Sequence, residues 1–265
     1  MPLGSRAAST KPNAQLREEP ARDGEGNRKW LARLGDGDGV ILIGGTSLAD
    51  FRVRVAQSSL RDDMFPSHWS LAGILLAGGK FVSVPLGGQD ISVVPKNNGV
   101  CEFSLDDFDD AKRYPNIAVI RFAKIHDTVH DDIERLKRDR GIVDLTAMML
   151  PWLAFIWGTK GSGNPLSEGK GLPSSAFVET VFAMAGFELT PGLSSASSCP
   201  EAMWQSAKWW REFYETTTAA LSAGGGKSGK SKSAKEDARP AVPMVPEGFY
   251  KIGQGSAAIV EQPRA

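Results

Sequence analysis

The stretch GGGKSGKS at residues 224–231 fits the nucleotide-binding pattern G-x-x-x-x-G-K-[ST]. In a phosphate-binding loop a strand leads into the glycines and a helix follows them, so that backbone N–H groups and the lysine reach the phosphates. Here the preceding residues 202–223 have apolar side chains at helical spacing, and the following stretch 232–248 has three prolines and no apolar periodicity. Because glycine, serine and lysine produce this match by composition, we interpret 224–231 as a flexible linker and expect no nucleotide.

Cysteine and histidine, the side chains most used for metal binding and covalent catalysis, are scarce. The chain has the two cysteines Cys101 and Cys199 and the three histidines His68, His126 and His130. Neither cysteine stands in a C-x-x-C or C-x-x-H pattern, so the sequence predicts no metal site, no cofactor and no disulfide framework. Cysteine is commonly a small buried hydrophobic residue, and we interpret both cysteines in that way.

Apolar runs bounded by glycine predict a sheet. VILIGG at 40–45 is a short β-rich run that ends in glycines. Three further runs, 69–79, 80–88 and 90–99, are separated by Gly-Gly or end in Asn-Asn-Gly. These residues supply the positive φ angles of tight hairpins, so we predict an antiparallel meander. A further buried strand is predicted over 115–122.

Helical periodicity occupies other parts of the chain. The stretch 126–141 has acidic residues early, basic residues late and an apolar face, which is typical of a surface helix. The apolar segment 142–158 is shorter than the about 20 residues of a membrane helix, and we predict a core helix that bends or ends near Pro151. Further helices are predicted over 47–60, 174–187 and 200–214. Helices and strands in separate stretches favour an α+β fold, with a mostly antiparallel sheet packed against helices.

The last predicted helix is apolar over more than one stripe. Trp204 lies on one side of it, and Trp209 and Phe213 lie near another. One stripe is expected to pack on the core. The other is available for further packing or for a partner.

Composition sets the limits of the folded part. We predict a disordered tail over 1–28, one domain over 29–222 and a flexible tail over 223–265, because the tails lack the apolar side chains that offset ordering entropy.

The formal net charge is zero, so no global basic field favours nucleic acid as a partner. The N-terminus lacks the apolar stretch of a signal peptide, and we expect a cytoplasmic protein without a transmembrane segment. Export by a route that uses no signal peptide stays open.

Six short motifs follow one another along the chain, each occurring once. They are GDGVILIGGTS (37–47), WSLAGIL (69–75), GVCEFSLDDF (99–108), IAVIRF (117–122), SSAFVETVFAMAGFELTPG (174–192) and CPEAMW (199–204). Across about residues 36–206 this order resembles the circularly permuted papain-like proteins of the NlpC/P60 superfamily, in particular the YiiX/YaeF-like group. The resemblance implies a permuted papain-like fold.

The same resemblance implies cleavage of amide or ester bonds by a cysteine thiolate at the start of a helix, paired with a histidine. At the matching positions this chain has Ser174, with Ser175 beside it, and Leu71 in place of the histidine. The position of the polar residue that orients the histidine falls near Val94. We therefore predict a catalytically degenerate domain that binds a peptide, lipid or protein ligand in the former active-site cleft, at Ser175, Trp69, Leu71 and Val94.

Two alternatives stay open. In the first, the chain is a hydrolase or acyltransferase of peptide or lipid amides or esters, with Ser174 as the nucleophile. Its base would be His68, because an alcohol is almost never ionised at neutral pH. The competing interpretation makes His68 a turn residue and Ser174 a helix N-cap. In the second, the chain is an interaction or delivered protein whose tails, 1–28 and 223–265, carry recruitment signals.

Overall fold

A seven-stranded sheet forms the framework of the domain. The computed structural model describes residues 16–35, 38–76, 78–86, 96–122, 128–210 and 246–253. The strands are β1 (Leu16–Glu18), β2 (Gly39–Gly44), β3 (Leu71–Leu76), β4 (Lys80–Ser83), β5 (Cys101–Ser104), β6 (Asn116–Arg121) and β7 (Glu247–Lys251). Their order across the sheet is β1-β7-β6-β2-β3-β4-β5. The pair β1 and β7 is parallel and the other neighbouring pairs are antiparallel, which confirms the predicted α+β class.

Five of the six helices in the described residues lie in predicted helical segments, and the first one was not predicted. The helices are α1 (Asn27–Leu34), α2 (Leu48–Ala56), α3 (Val129–Arg138), α4 (Leu145–Ile156), α5 (Pro173–Met184) and the helical residues 200–210, called α6 below. Side chains cap two of these helices. The Ser47 side chain accepts a hydrogen bond from the backbone N–H of Asp50 at the start of α2, and Asp144 accepts one from Ala147 at the start of α4.

The helix α4 continues through Pro151 to Ile156 and does not end at the proline. The proline removes one backbone hydrogen bond, but the buried residues Met149, Trp152 and Ile156 keep one side of the helix in the core on both sides of it. The Trp152 Nε1 also donates a 2.8 Å hydrogen bond to the carbonyl of Gly171. Tertiary packing therefore extends this helix beyond the predicted break.

Helices cover both faces of the sheet, which explains why β2 is apolar at every position. Val40 and Leu42 point into the cluster formed with α3, α4, α5 and α6. Ile41 and Ile43 point to the opposite face, where they pack with Trp30 of α1. Successive side chains of a strand point to opposite faces, so a central strand with both faces covered has no polar side.

The predicted meander differs from the sheet in its third strand. Residues 96–99 form a 3-10 turn in which Asn97 and Asn98 have φ angles of 55° and 57°, as expected for this pair. The rest of the predicted run 90–99 lies outside the described residues. The strand that pairs with β4 is β5, which follows the turn.

Both predicted tails contribute strands. Residues 16–28 include β1 and the start of α1, and the segment 246–253 contains β7, which lies between β1 and β6. Phe249 of β7 is buried against Trp30, with ring centroids 5.4 Å apart. A Cβ atom at Gly248 would lie 2.0 Å from the carbonyl oxygen of Val119, so only glycine fits there. The predicted linker 224–231 lies outside the described residues.

We expect removal of β7 to destabilise the domain. A chain truncated after residue 245 loses the Phe249 contact and the strand that joins β1 to β6. Its free energy of unfolding should fall by at least about 3 kcal/mol, the loss typical of deleting one buried phenylalanine side chain. Urea denaturation followed by tryptophan fluorescence measures this change. Truncation after residue 253 is the matched control, and equal urea midpoints for the two truncations would contradict the assigned role of β7.

Candidate functional site

The start of α5 is fixed against a neighbouring segment of the chain. Pro173 occupies the first helical position, where its missing N–H and fixed φ angle suit a helix start. Just before it, the backbone N–H of Gly171 donates to Ala196, and that of Leu172 donates to Ser198, at 2.8 and 2.9 Å. A Cβ atom at Gly171 would lie 2.3 Å from the carbonyl oxygen of Ser198. These contacts bring the first turn of α5 over β3.

Ser174 is the residue that joins α5 to β3. Its hydroxyl oxygen accepts a 3.3 Å hydrogen bond from the backbone N–H of Ala72, and the residue is 1% exposed. The neighbouring Ser175 is fully buried, and its hydroxyl has no hydrogen-bond partner among the described residues. Both serines therefore lie at a packed junction and not at a surface that a substrate could reach.

The structure does not bring the side chain of Leu71 to Ser174. Leu71 packs with the cluster on the α1 face of the sheet, whereas Ala72 belongs to the cluster under α5. The alternation along β3 places Gly73 on the same face as Leu71, with Phe81 as a neighbour. A histidine side chain at position 71 would therefore leave the sheet on the face opposite Ser174. Val94 lies outside the described residues.

His68 lies in the turn before β3, and no hydrogen bond joins it to Ser174. Its backbone carbonyl accepts a 2.9 Å hydrogen bond from the Asn116 side chain. Its Nδ1 is buried without a hydrogen-bond partner in the described part of the chain. Burial, together with the positive charges of Arg61 and Arg54, lowers the pKa of the His68 imidazole to about 4. The ring is therefore neutral at pH 7 and is a weak base.

A buried polar network, which the sequence motifs do not reveal, joins α2, the turn before β3 and α6. Glu201 is fully buried, and its carboxylate accepts hydrogen bonds from Ser67 at 2.6 Å and from Gln205 at 2.5 Å. Its backbone N–H donates to the Gln57 side chain at 2.9 Å, and Gln57 donates to the carbonyl of Trp69 at 2.8 Å. Burial raises the pKa of the Glu201 carboxyl, and the hydrogen bond from Ser67 opposes that effect.

Arg54 is a second buried charge that sequence reasoning missed. It is 1% exposed, and its guanidinium donates to the carbonyl oxygens of Ser67 at 2.6 Å and Gly45 at 3.2 Å. Burial lowers the pKa of Arg54, and the charge of Asp50 opposes that shift. The sequence predicted a helix over 47–60 but gave no signal for which of its charged residues is buried.

A groove of about 330 Å³ lies beside α6. It is lined by Leu60, Thr190, Pro191, Leu193, Ala202, Gln205, Ser206 and Trp209. Trp209 is 51% exposed, whereas Trp204 on the other side of the helix is buried against Trp69. The prediction that one stripe of α6 packs on the core is confirmed for Trp204; Trp209 of the other stripe is half exposed, and Phe213 lies outside the described residues.

The other candidate groups considered in the described structure are the two cysteines and clusters of metal-binding side chains. Burial raises the pKa of the Cys199 thiol to about 12, so the predicted buried role of this residue is confirmed. Cys101 is half-buried on β5.

Within the described ranges, no three His, Cys, Asp or Glu side chains are grouped to hold a metal ion. Over the same residues, no helix combines the length and apolarity required to cross a bilayer.

Comparison with known proteins gave no match, whether with protein-family models, curated proteins or solved structures. The resemblance to the NlpC/P60 superfamily stays a prediction from the sequence motifs.

The two adjacent serines should respond in opposite ways to substitution by alanine. Ser174→Ala leaves the buried N–H of Ala72 without an acceptor and should lower the free energy of unfolding by about 1–2 kcal/mol. Ser175→Ala removes a hydroxyl that has no partner and should leave stability unchanged or raise it by up to about 1 kcal/mol. Urea denaturation measures both changes, and each variant is the control for the other. A larger loss in Ser175→Ala would contradict the geometry.

The lowered pKa of His68 predicts the direction in which the stability of the domain changes with pH. The imidazole of His68 has a pKa of 6.5 when unfolded and about 4 when folded, so the unfolded state binds more protons between these values. Stability should therefore fall as the pH falls from 6.5 to 4. The loss should be about 1–2 kcal/mol after allowance for solvent screening, and His68→Gln should lack this part of the pH dependence.

Two-dimensional NMR of the histidine rings measures the folded value directly. The resonance that disappears in His68→Gln should titrate near pH 4. Titration of that resonance near 6.5 would show that the ring is solvated and would remove the basis of the predicted stability change.

Proposed function

We propose that this chain is a catalytically silent domain of the permuted papain-like type, which binds a ligand or partner without chemical turnover. The observation that carries the proposal is the state of Ser174. Its hydroxyl stands at the helix start where the resemblance places a nucleophile, but it is buried and accepts a hydrogen bond from the backbone of β3. A nucleophile must be reached by substrate, and this side chain is used to join two elements of the core.

The groups around Ser174 support the same conclusion. A serine needs a base within hydrogen-bond reach, because its hydroxyl is almost never ionised at neutral pH. His68 makes no hydrogen bond to Ser174, and its neutral ring is a weak base. Leu71 packs on the other face of the sheet. The thiol of Cys199 is kept protonated by burial.

The burial of this region also bears on where a ligand could bind. Ser174, Ser175 and Trp69 are each at most 1% exposed, so a ligand that touched them would require α5 to move away from β3. The groove beside α6 offers open space without such a movement. Its wall includes Gln205, which hydrogen-bonds to Glu201 of the buried polar network. We therefore place the ligand of the silent domain in this groove.

Reaction with a fluorophosphonate probe tests the loss of chemistry, because the probe reacts with activated serines. We expect no labelling of the purified full-length protein under conditions that label a control serine hydrolase completely. Ser174→Ala and His68→Ala should be indistinguishable from the wild type. Melting temperatures of the same samples show that each protein is folded during the reaction.

Labelling of the wild-type protein that is lost in both variants would overturn the proposal. That result would establish an activated Ser174 with His68 as its base, and would assign the chain as a hydrolase or acyltransferase of amides or esters. Labelling that persists in Ser174→Ala would show an activated serine elsewhere and would equally contradict a silent domain.

A further inference from the structure

The polar side chains of the groove direct hydrogen-bond donors away from it. Ser206 donates its hydroxyl proton to the carbonyl of Leu189 at 2.5 Å. Thr190 donates its hydroxyl proton to the buried carboxylate of Glu179. A hydroxyl has one proton, so both groups can present only acceptor lone pairs to a molecule in the groove.

Gln205 presents both halves of an amide. One N–H of its side chain donates to Glu201 at 2.5 Å, which fixes the orientation of the amide group. The side-chain carbonyl oxygen accepts no hydrogen bond from the described residues, and the second N–H has no acceptor there. A carbonyl beside an N–H is complementary to another amide, which offers an N–H beside a carbonyl.

Two positive charges lie near Glu201, which hydrogen-bonds to Gln205 in the groove wall. Arg61 directly follows the lining residue Leu60, and Lys208 directly precedes the lining residue Trp209. Both cations act on the buried Glu201, whose pKa they lower in opposition to its burial. Arg61 is already paired with Asp63, whereas Lys208 is exposed. Spare acceptors alone would suit an ammonium group, but these charges shift the preference to a neutral donor.

The size and walls of the groove limit the rest of the ligand. A volume of about 330 Å³ is at the lower end of the range of small-molecule sites, and it is sufficient for one or two side chains. Leu60, Leu193 and Trp209 supply apolar surface, and each is about half exposed. An apolar group placed there removes both its own surface and theirs from water.

We propose that the groove beside α6 binds a neutral amide carried on an aliphatic or aromatic group, which is the chemistry of a peptide segment with an apolar side chain. The proposal rests on the proposed binding function and names its ligand class. The amide pairs with Gln205 and donates to Ser206 or Thr190, and the apolar group packs on Leu60, Leu193 and Trp209.

A set of four small probes with the same branched aliphatic group separates these contributions. They are 4-methylpentanamide, its N,N-dimethyl derivative, 4-methylpentanoate and isopentylamine. The full-length protein is labelled with 5-fluorotryptophan, and the fluorine resonance of Trp209 is assigned as the one missing in Trp209→Phe. Each probe is titrated while the shift of that resonance is followed.

The primary amide should bind most tightly and should shift the Trp209 resonance in a saturable way. The dimethyl derivative keeps the carbonyl and the aliphatic group but has no N–H, and should bind roughly three- to tenfold more weakly, the effect of one or two lost hydrogen bonds. Gln205→Met should remove this difference. Trp157→Phe, which changes an exposed tryptophan of the α4 end, is the matched control and should behave as the wild type.

Lys208→Glu tests the charge contribution. It should increase the affinity for isopentylamine and leave the affinity for the neutral amide unchanged within about twofold. Tighter binding of isopentylamine than of the amide to the wild-type protein would overturn the choice of a neutral ligand. Equal binding of the amide and its dimethyl derivative would overturn amide recognition, and an unshifted Trp209 resonance with all four probes would overturn the site itself.

The failure of this inference is distinguishable from failure of the proposed function. Amide binding by a protein whose Ser174 reacts with the fluorophosphonate would support the groove and overturn the silent domain. A protein that is neither labelled nor bound by any probe would remain consistent with a silent domain but would overturn the groove as its amide site.

Discussion

The contact between the start of α5 and the middle of the sheet is the constraint on which the rest of the structure depends. The hydroxyl of Ser174 supplies an acceptor for the backbone N–H of Ala72, and the segment 195–198 supplies acceptors for the residues before the helix. Cores tolerate few unpaired backbone groups, so this contact fixes the position of α5 over β3. It also buries the position at which the motif order places a nucleophile.

The buried polar network extends this constraint to the neighbouring helices. Glu201 connects α6 to the turn before β3 through Ser67, and Gln57 connects the same turn to α2. A buried carboxylate is costly unless its oxygens are hydrogen-bonded, and both oxygens of Glu201 are satisfied. The network specifies how α2 and α6 lie beside each other. In doing so it orients Gln205 at the wall of the groove.

The burial of Ser174 and the open groove beside α6 belong to one packing arrangement. The helix start that would hold a reactive group is closed by hydrogen bonding to the sheet, and the outer stripe of α6 is left exposed at Trp209. Binding in the groove needs no movement of α5. Gln205 and Ser206, whose protons are donated to Glu201 and Leu189, lie in the wall of the groove.

Local patterns determined the elements and the class of the fold. Glycine-bounded apolar runs located β2, β3 and β4, and the apolar run 115–122 located β6. Helical periodicity located α2 to α6, because burial on one face leaves a period in the sequence. The motif order also singled out Ser174 and Leu71 as positions that lack the expected nucleophile and base. The element predictions need only neighbouring residues, whereas the motif order uses the sequence over about residues 36–206.

Tertiary structure decided what depends on contacts between distant residues. The strand β7, which follows a polar stretch with no apolar period, joins the sheet because Phe249 packs on Trp30 and Gly248 lets the backbones approach. Composition therefore gave a tail where a strand forms. Packing also places Leu71 and Ser174 on opposite faces of the sheet, buries Glu201 and brings together the residues that line the groove. No local pattern encodes these arrangements, because each depends on which surfaces meet after the chain has folded.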